Sequence, residues 1–171
     1  MTNPSSSPLN LDFAWEYDSW TPWQDSLERY LHQATEQVLH RVCPHHGPGE
    51  ISWAFVDDIT IASLNTQYRQ QNKPTNVLSF GHINKPTQLH PWPAYMCLGD
   101  VILAFQTVER EAREQDKPFL HHALHLAVHG LLHLLGYTHE TSHEAHIMEQ
   151  LEIDVLNTFN IPNPYEEDPH T

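Results

Sequence analysis

The sequence predicts an α+β fold in which helices pack against a small sheet of three or four strands. Three observations predict this class. Short apolar runs rich in branched and aromatic residues, such as ISWAFV at Ile51–Val56, are typical of strands. Longer segments place apolar residues at helical spacing, as Leu27, Leu31 and Val38 do in the first of them. Every predicted strand precedes Gln106, and only helices follow it.

The individual elements follow from the same patterns. The predicted strands are Ile51–Val56, Asn76–Phe80 and Gly99–Phe105. The predicted helices cover residues 25–43, a short stretch after the cap formed by Asp57 and Asp58, and residues 106–115, 119–136 and 142–159. Between the last two strands, Pro86, Pro91 and Pro93 predict a loop without regular structure.

Length and composition predict one domain. A chain of 171 residues with 39% hydrophobic content is long enough for one core. Residues 1–20 are predicted to be a loose N-terminal tail, residues 21–160 the single domain, and residues 161–171 a C-terminal tail.

Charge and cysteine usage restrict the functional classes. A net charge of −14 excludes a broad basic footprint for nucleic acid, and there is no reason to expect DNA as a partner. Two distant cysteines without a CxxC motif exclude a disulfide-dense scaffold or a cysteine zinc ribbon. The N-terminal residues lack the pattern of a signal peptide, and the histidines within Phe119–Tyr137 argue against a membrane span. We therefore expect a cytoplasmic protein without membrane contact.

The strongest motif is HGLLHLLGYTH at His129–His139. His129 and His133 are four residues apart, so both project from the same face of a helix. Gly136 allows the helix to end and the chain to turn, which brings His139 towards the same point. Three imidazoles with a fourth position left to water are typical of a catalytic zinc site. His125, one turn earlier, is expected to be a core residue or to support a ligand.

The spacing of these histidines matches that of the metzincin zinc proteases. In those proteases a glutamate acting as general base follows the first histidine, whereas this chain has Gly130. Peptide hydrolysis by that route is therefore not expected.

Four segments together resemble the YbeY-type endoribonucleases. They are LNTQYRQQNKPTNVLSF (Leu64–Phe80), LGDVILAF (Leu98–Phe105), the histidine motif and EAHIMEQLE (Glu144–Glu152). The resemblance implies one zinc ion on His129, His133 and His139, and a zincin-like fold with a mixed sheet and a central metal-binding helix. Two positions depart from the family pattern: Thr138 replaces the aspartate of GYDH, and Gly81 replaces the proline of LSFP. Thr138 removes a carboxylate that could orient a ligand.

The resemblance also implies that an arginine matching Arg69 serves RNA cleavage. A guanidinium suits the oxygens of a phosphodiester because it is always charged and offers a planar fork of donors. Lys73 lies four residues on and is a weaker candidate for RNA binding. Judged by charge alone, both residues are better interpreted as solvated surface cations, and only the resemblance favours a role in binding phosphate.

The resulting hypothesis is a single-strand-specific, zinc-dependent endoribonuclease acting in late ribosomal RNA processing, at the 3′ end of 16S rRNA, and in ribosome quality control. Its expected partners are the rRNA precursor and the small ribosomal subunit, with ribosomal or assembly proteins as further candidates. The alternatives are a ribosome assembly factor with a structural zinc ion and no catalysis, and another metal-dependent hydrolase. The acidic charge favours the assembly factor.

Overall fold

The computed structural model of the chain describes residues 9–166, in which one sheet and five α-helices are formed. The strands are β1 (Asn10–Trp15), β2 (Gly49–Val56), β3 (Val77–Gly81) and β4 (Met96–Ala104). The α-helices are α1 (Gln24–Val42), α2 (Asp58–Arg69), α3 (Phe105–Glu114), α4 (Phe119–Leu134) and α5 (Ser142–Asn157). Short 3-10 helices cover Asp18–Trp23 and Pro86–Leu89.

The sheet is mixed, with the spatial order β1-β2-β4-β3. Strands β1, β2 and β4 are parallel, and β3 pairs antiparallel with β4 at one edge. The predicted α+β class with a small mixed sheet is confirmed.

The main core lies between one face of the sheet and helices α1 and α4. Trp53 and Phe55 of β2 and Leu103 of β4 contribute buried side chains to it, and α4 adds an almost continuous run of buried leucine, alanine and valine residues. Helix α2 covers part of the opposite face, where Ile61 packs in a smaller cluster with Leu78 and Ile102. Helix α4 therefore lies at the centre of the domain.

The N-terminal segment differs from the tail predicted over residues 1–20. Residues 10–15 form strand β1, in which alternate side chains such as Phe13 and Trp15 pack against the core, in register with Trp53 and Phe55. Trp20 is fully buried, and its indole N–H donates to the carbonyl of Val56 at 3.0 Å. The tail prediction is therefore wrong for residues 10–20, while residues 1–8 lie outside the described residues.

Two other segments predicted to be irregular also show order. Pro86–Leu89 forms a 3-10 turn within the proline-rich loop. Residues 161–166 of the predicted C-terminal tail lie against the domain, with Ile161 buried, and residues 167–171 lie outside the described residues. Between residues 9 and 166, no helix has the length and apolar character required to cross a membrane.

Candidate metal centre

Three histidine side chains converge at the end of α4. His129 and His133 lie one turn apart on this helix, with ring centroids 4.5 Å apart. His139 lies in the loop that follows, and its ring centroid is 5.1 Å from that of His133 and 5.5 Å from that of His129. One nitrogen from each ring can be chosen so that all three lie within 4.8 Å of one another.

The turn that returns His139 depends on Gly136. The N–H of Tyr137 donates to the carbonyl of Leu132 at 3.0 Å, and the N–H of Gly136 donates to that of His133 at 3.0 Å, which together form a Schellman motif. Gly136 has a φ of +94°, and a Cβ atom there would lie 2.6 Å from the backbone of Lys85. Only glycine satisfies both conditions without strain, as the sequence predicts for this position.

Hydrogen bonds at the far side of the rings fix the orientation of the two helical histidines. His133 Nδ1 donates to the carbonyl of Tyr137 at 2.9 Å. His129 Nδ1 donates to Glu152 Oε1 on α5 at 2.5 Å. Both Nε2 atoms therefore point away from these partners, and they lie 3.0 Å apart. Two imidazole nitrogens with lone pairs at this distance repel each other unless a proton or a cation lies between them.

The protonation states of His133 and Glu152 favour the binding of a cation. Burial and the neighbouring His129 lower the pKa of His133 to about 4, so this ring is neutral at neutral pH. Burial raises the pKa of Glu152, but hydrogen bonds from His125 and His129 outweigh it and lower the pKa to about 2. Glu152 is thus an ionised carboxylate with no exposed surface. A neutral imidazole supported by a carboxylate is a common ligand unit for zinc.

The three imidazoles can therefore hold one metal ion. Nitrogen donors alone suit zinc, copper, nickel or cobalt better than magnesium or calcium. The donor set matches the one predicted from the spacing of the histidines.

The centre opens onto a cleft of about 720 Å³. His129, His133 and His139 line it together with Arg69 and Lys73, so the structure brings all five predicted site residues to one cavity. The cleft is lined otherwise by amide, hydroxyl, aliphatic and glycine residues; none of the described lining residues is an aspartate or a glutamate.

Arg69 ends α2 and reaches the cleft across the edge strand. Its Nη2 donates to the carbonyl of Ser79 at 2.9 Å, and its Cζ lies 5.5 Å from the ring centroid of Phe80. These contacts fix one side of the guanidinium and leave its other N–H groups as donors. Lys73 lies in the following loop, where the buried Asn65 donates to its carbonyl at 2.9 Å.

Gly130 lies on the face of α4 that packs against the sheet. Its carbonyl accepts a hydrogen bond from Ser79 Oγ at 2.8 Å. A Cβ atom at this position would lie 2.7 Å from Val101 Cγ1 and 3.0 Å from both Ser79 Oγ and Val77 Cγ2. At the position that carries a glutamate in metzincins, even a Cβ atom would therefore require neighbouring side chains to shift.

Two further residues complete the surroundings of the centre. The hydroxyl of Thr138, at the position that departs from the family pattern, donates to the carboxylate of Glu144 on α5. His125 Nε2 lies 3.4 Å from Glu152 Oε2, so His125 supports a ligand through this carboxylate and is not part of the metal cluster.

Sequence reasoning missed Glu152, although the sequence carried a signal. On α5 the buried stripe contains Met148, Glu152, Val155 and Leu156, and the glutamate is its only charged member. A charged residue on an apolar helical face requires a partner, and the partner here is the ligand His129.

Known proteins resemble this chain over most of its length. A family model described as Endoribonuclease YbeY matches residues 16–160. The chain is similar to the endoribonuclease YbeY of Bradyrhizobium sp. strain BTAi1, at 43% identity over 145 residues, which cover 84% of this chain and 86% of the relative. It is similar to that of Magnetococcus marinus at 50% identity over 123 residues, covering 69% and 84%. A solution structure of a Thermotoga maritima protein shares the fold, with a TM-score of 0.54, 22% identity, and coverage of 95% and 99%.

Proposed function

This chain belongs to the endoribonuclease YbeY family, and from that membership we propose that it is a zinc-dependent endoribonuclease specific for single-stranded RNA. We further propose that it acts in late ribosomal RNA processing, at the 3′ end of 16S rRNA, and in ribosome quality control. Its partners would then be the rRNA precursor and the small ribosomal subunit, in the cytoplasm.

One observation carries the proposal: the charge distribution of the cleft. The chain has 22 acidic and 8 basic residues. The described lining of the cleft nevertheless includes Arg69 and Lys73 and no acidic residue. A polyanion is repelled by most of such a molecule and accepted at this cavity, which also holds the three histidines. The net charge of −14 therefore argues against RNA binding over the whole surface, but not at this cavity.

The proposed roles of the residues follow from their geometry. His129, His133 and His139 would hold the zinc ion, which, when bound, supplies a Lewis acid for a phosphoryl oxygen or for water. Arg69 would donate to the non-bridging oxygens of the scissile phosphodiester as negative charge develops there. Because Ser79 and Phe80 already fix the guanidinium, little conformational entropy is lost on binding. Lys73 would bind a neighbouring phosphate.

The described cleft does not offer a carboxylate as general base. Gly130 has no side chain, and Glu152 is bonded to His129 and lies outside the lining of the cleft. We therefore propose that activation of the nucleophile depends on the metal ion and on the substrate. If the substrate 2′-hydroxyl attacks, the product ends in a cyclic phosphate, whereas attack by water does not leave this group.

The test is cleavage of a single-stranded RNA oligonucleotide by the zinc-loaded protein, compared with the same sequence as a duplex. His133→Ala and Arg69→Ala are assayed beside the wild type, and zinc content is determined for each. Arg41→Ala is the matched control, since Arg41 is an exposed arginine of α1 whose contacts are to Gln37. All proteins are purified free of contaminating nuclease.

We expect the wild type and Arg41→Ala to cut the single strand, and His133→Ala to lose both zinc and cleavage. Arg69→Ala should keep one zinc ion per chain and lose cleavage by a factor of about 100 to 1,000, the usual cost of a donor to a developing oxyanion. Equal cleavage by all four proteins would assign the activity to a contaminant. Binding of RNA without cleavage by the wild type would favour the assembly factor instead.

A further inference from the structure

A short C-terminal segment, residues 161–166, follows α5 and lies against the domain. Ile161 is buried, and its N–H donates to the carbonyl of Leu156 at 3.1 Å. Lys117 Nζ donates to the carbonyl of Pro164 at 3.2 Å. The N–H of Tyr165 donates to Asn163 Oδ1 at 2.8 Å. These contacts fix the position of Tyr165.

The side chain of Tyr165 reaches the carboxylate that supports His129. Its hydroxyl donates to Glu152 Oε2 and lies 3.3 Å from His125 Nε2. Its ring meets the ring of His125 edge to face, with centroids 5.5 Å apart and an interplanar angle of 88°. Tyr165 as a residue is 42% exposed, so burial alone does not explain the position of its side chain.

The two carboxylate oxygens of Glu152 accept hydrogen bonds from different partners. Oε1 accepts from His129 Nδ1 at 2.5 Å, and Oε2 accepts from Tyr165 and, at the long distance of 3.4 Å, from His125. Without the hydroxyl, Oε2 would keep only the long contact. A fully buried carboxylate oxygen without a hydrogen-bond donor is unfavourable, so the carboxylate group would shift towards another donor. This shift would also displace Oε1, which accepts the hydrogen bond from His129.

We propose that Tyr165 is a positioning residue of the metal centre, which holds Glu152 so that Glu152 holds the imidazole of His129 towards the metal ion. The segment that follows α5 thereby sets the metal affinity of the site. The inference depends on the proposed function only in that His129 binds a metal ion.

The test measures zinc affinity of the full chain by competition with a chromophoric chelator, without any RNA. Tyr165→Phe removes only the hydroxyl and should weaken zinc binding roughly tenfold, the lower range for loss of a partner behind a ligand. Tyr95→Phe is the matched control, because Tyr95 is also half-exposed and does not line the cleft, and it should bind zinc as the wild type does. Circular dichroism of the metal-free proteins checks that each is folded.

A double-mutant cycle separates action through Glu152 from a general loosening of the fold. In the Glu152→Gln background, Tyr165→Phe should change zinc affinity by less than about twofold, because the carboxylate it positions is absent. The inference is overturned if Tyr165→Phe alone stays within about twofold of the wild type, or if its loss is equally large in the Glu152→Gln background. A wild type that binds zinc tightly and cuts no RNA would contradict the proposed function and leave this inference standing.

Discussion

His129 Nδ1 lies 2.5 Å from Oε1 of Glu152, which joins a candidate metal ligand on α4 to a carboxylate on α5. Glu152 is fully buried, so the packing of α5 determines where its oxygens lie. The geometry of the candidate centre therefore depends on contact between two helices as well as on the spacing of histidines within one of them.

Glu152→Gln is expected to weaken zinc binding by about 10-fold to 100-fold, since a neutral amide supports the imidazole less well than a carboxylate. The side chain keeps its size, so the protein should remain folded. Chelator competition measures the affinity. Asp154→Asn is the control, as Asp154 is exposed on the same helix and bonded to Gln150. Equal affinities for the two variants would show that Glu152 does not support the ligand.

Removal of the metal ion is expected to abolish cleavage and leave the protein folded. The core of α4 and the sheet consists of apolar side chains, and His139 is exposed, so the metal ion does not hold the core together. Zinc at a free concentration of 100 times its Kd should add about 2.7 kcal/mol to the free energy of unfolding. Thermal unfolding with and without a chelator measures this. Loss of helical signal on chelation would instead indicate a structural zinc ion.

Gly130→Ala is expected to lower the free energy of unfolding by about 1 kcal/mol, because two effects oppose each other. Alanine gains about 1 kcal/mol in helix propensity, whereas overpacking a core costs about 1–3 kcal/mol. Overpacking should win because Val101 Cγ1 would lie only 2.7 Å from the new Cβ atom, on a stiff side chain of β4. Denaturant unfolding measures the difference.

The steric explanation can be tested by repeating the substitution in a Val101→Ala variant. In Val101→Ala the nearest obstructing methyl group is absent, so Gly130→Ala should cost less stability there, although Ser79 Oγ and Val77 Cγ2 would still lie 3.0 Å from the new Cβ atom. A loss of the same size in both backgrounds would contradict the steric account.

Asp57→Ala is expected to cost about 1 kcal/mol of stability at neutral pH, because Asp57 caps the helix that carries Arg69. Its Oδ1 accepts from the N–H of Thr60 at 2.9 Å, and this hydrogen bond lowers the pKa of the carboxyl below its ordinary value. Because the pKa of Asp57 is lower in the folded state, its ionised carboxylate stabilises the fold above about pH 3.9, the ordinary pKa of aspartate. This stabilisation is lost as the pH falls through the pKa of Asp57 in the folded protein.

The stability difference between the wild type and Asp57→Ala should therefore narrow in acid. Denaturant unfolding at pH 7 and near pH 3 measures it. Asp57→Asn, which keeps an acceptor without the charge, should not show this narrowing. A difference that is the same at both pH values would contradict an ionised cap.

The elements that were predicted correctly are those specified by local pattern. The spacing of His129 and His133, with Gly136 to end their helix, already implied the three-histidine cluster, because helix geometry alone places residues four apart on one face. Strand β2 was equally clear, since ISWAFV is long, branched and apolar.

The parts that were missed depend on contacts between distant segments. The polar run before strand β1 predicts a tail, although Leu11, Phe13 and Trp15 alternate as in a half-buried strand. The bond between His129 and Glu152 spans 23 positions, and no local rule relates them. The same holds for Tyr165, whose role follows only from where the chain returns after α5.

The placement of Arg69 and Lys73 in an otherwise acidic molecule has a consequence for binding kinetics. Added salt screens the repulsion between a chain of net charge −14 and a polyanion, which raises the association rate. The same salt weakens the few direct contacts with phosphate, which raises the dissociation rate. Higher ionic strength therefore raises both the association rate and the dissociation rate. Turnover can then increase with salt even where affinity declines.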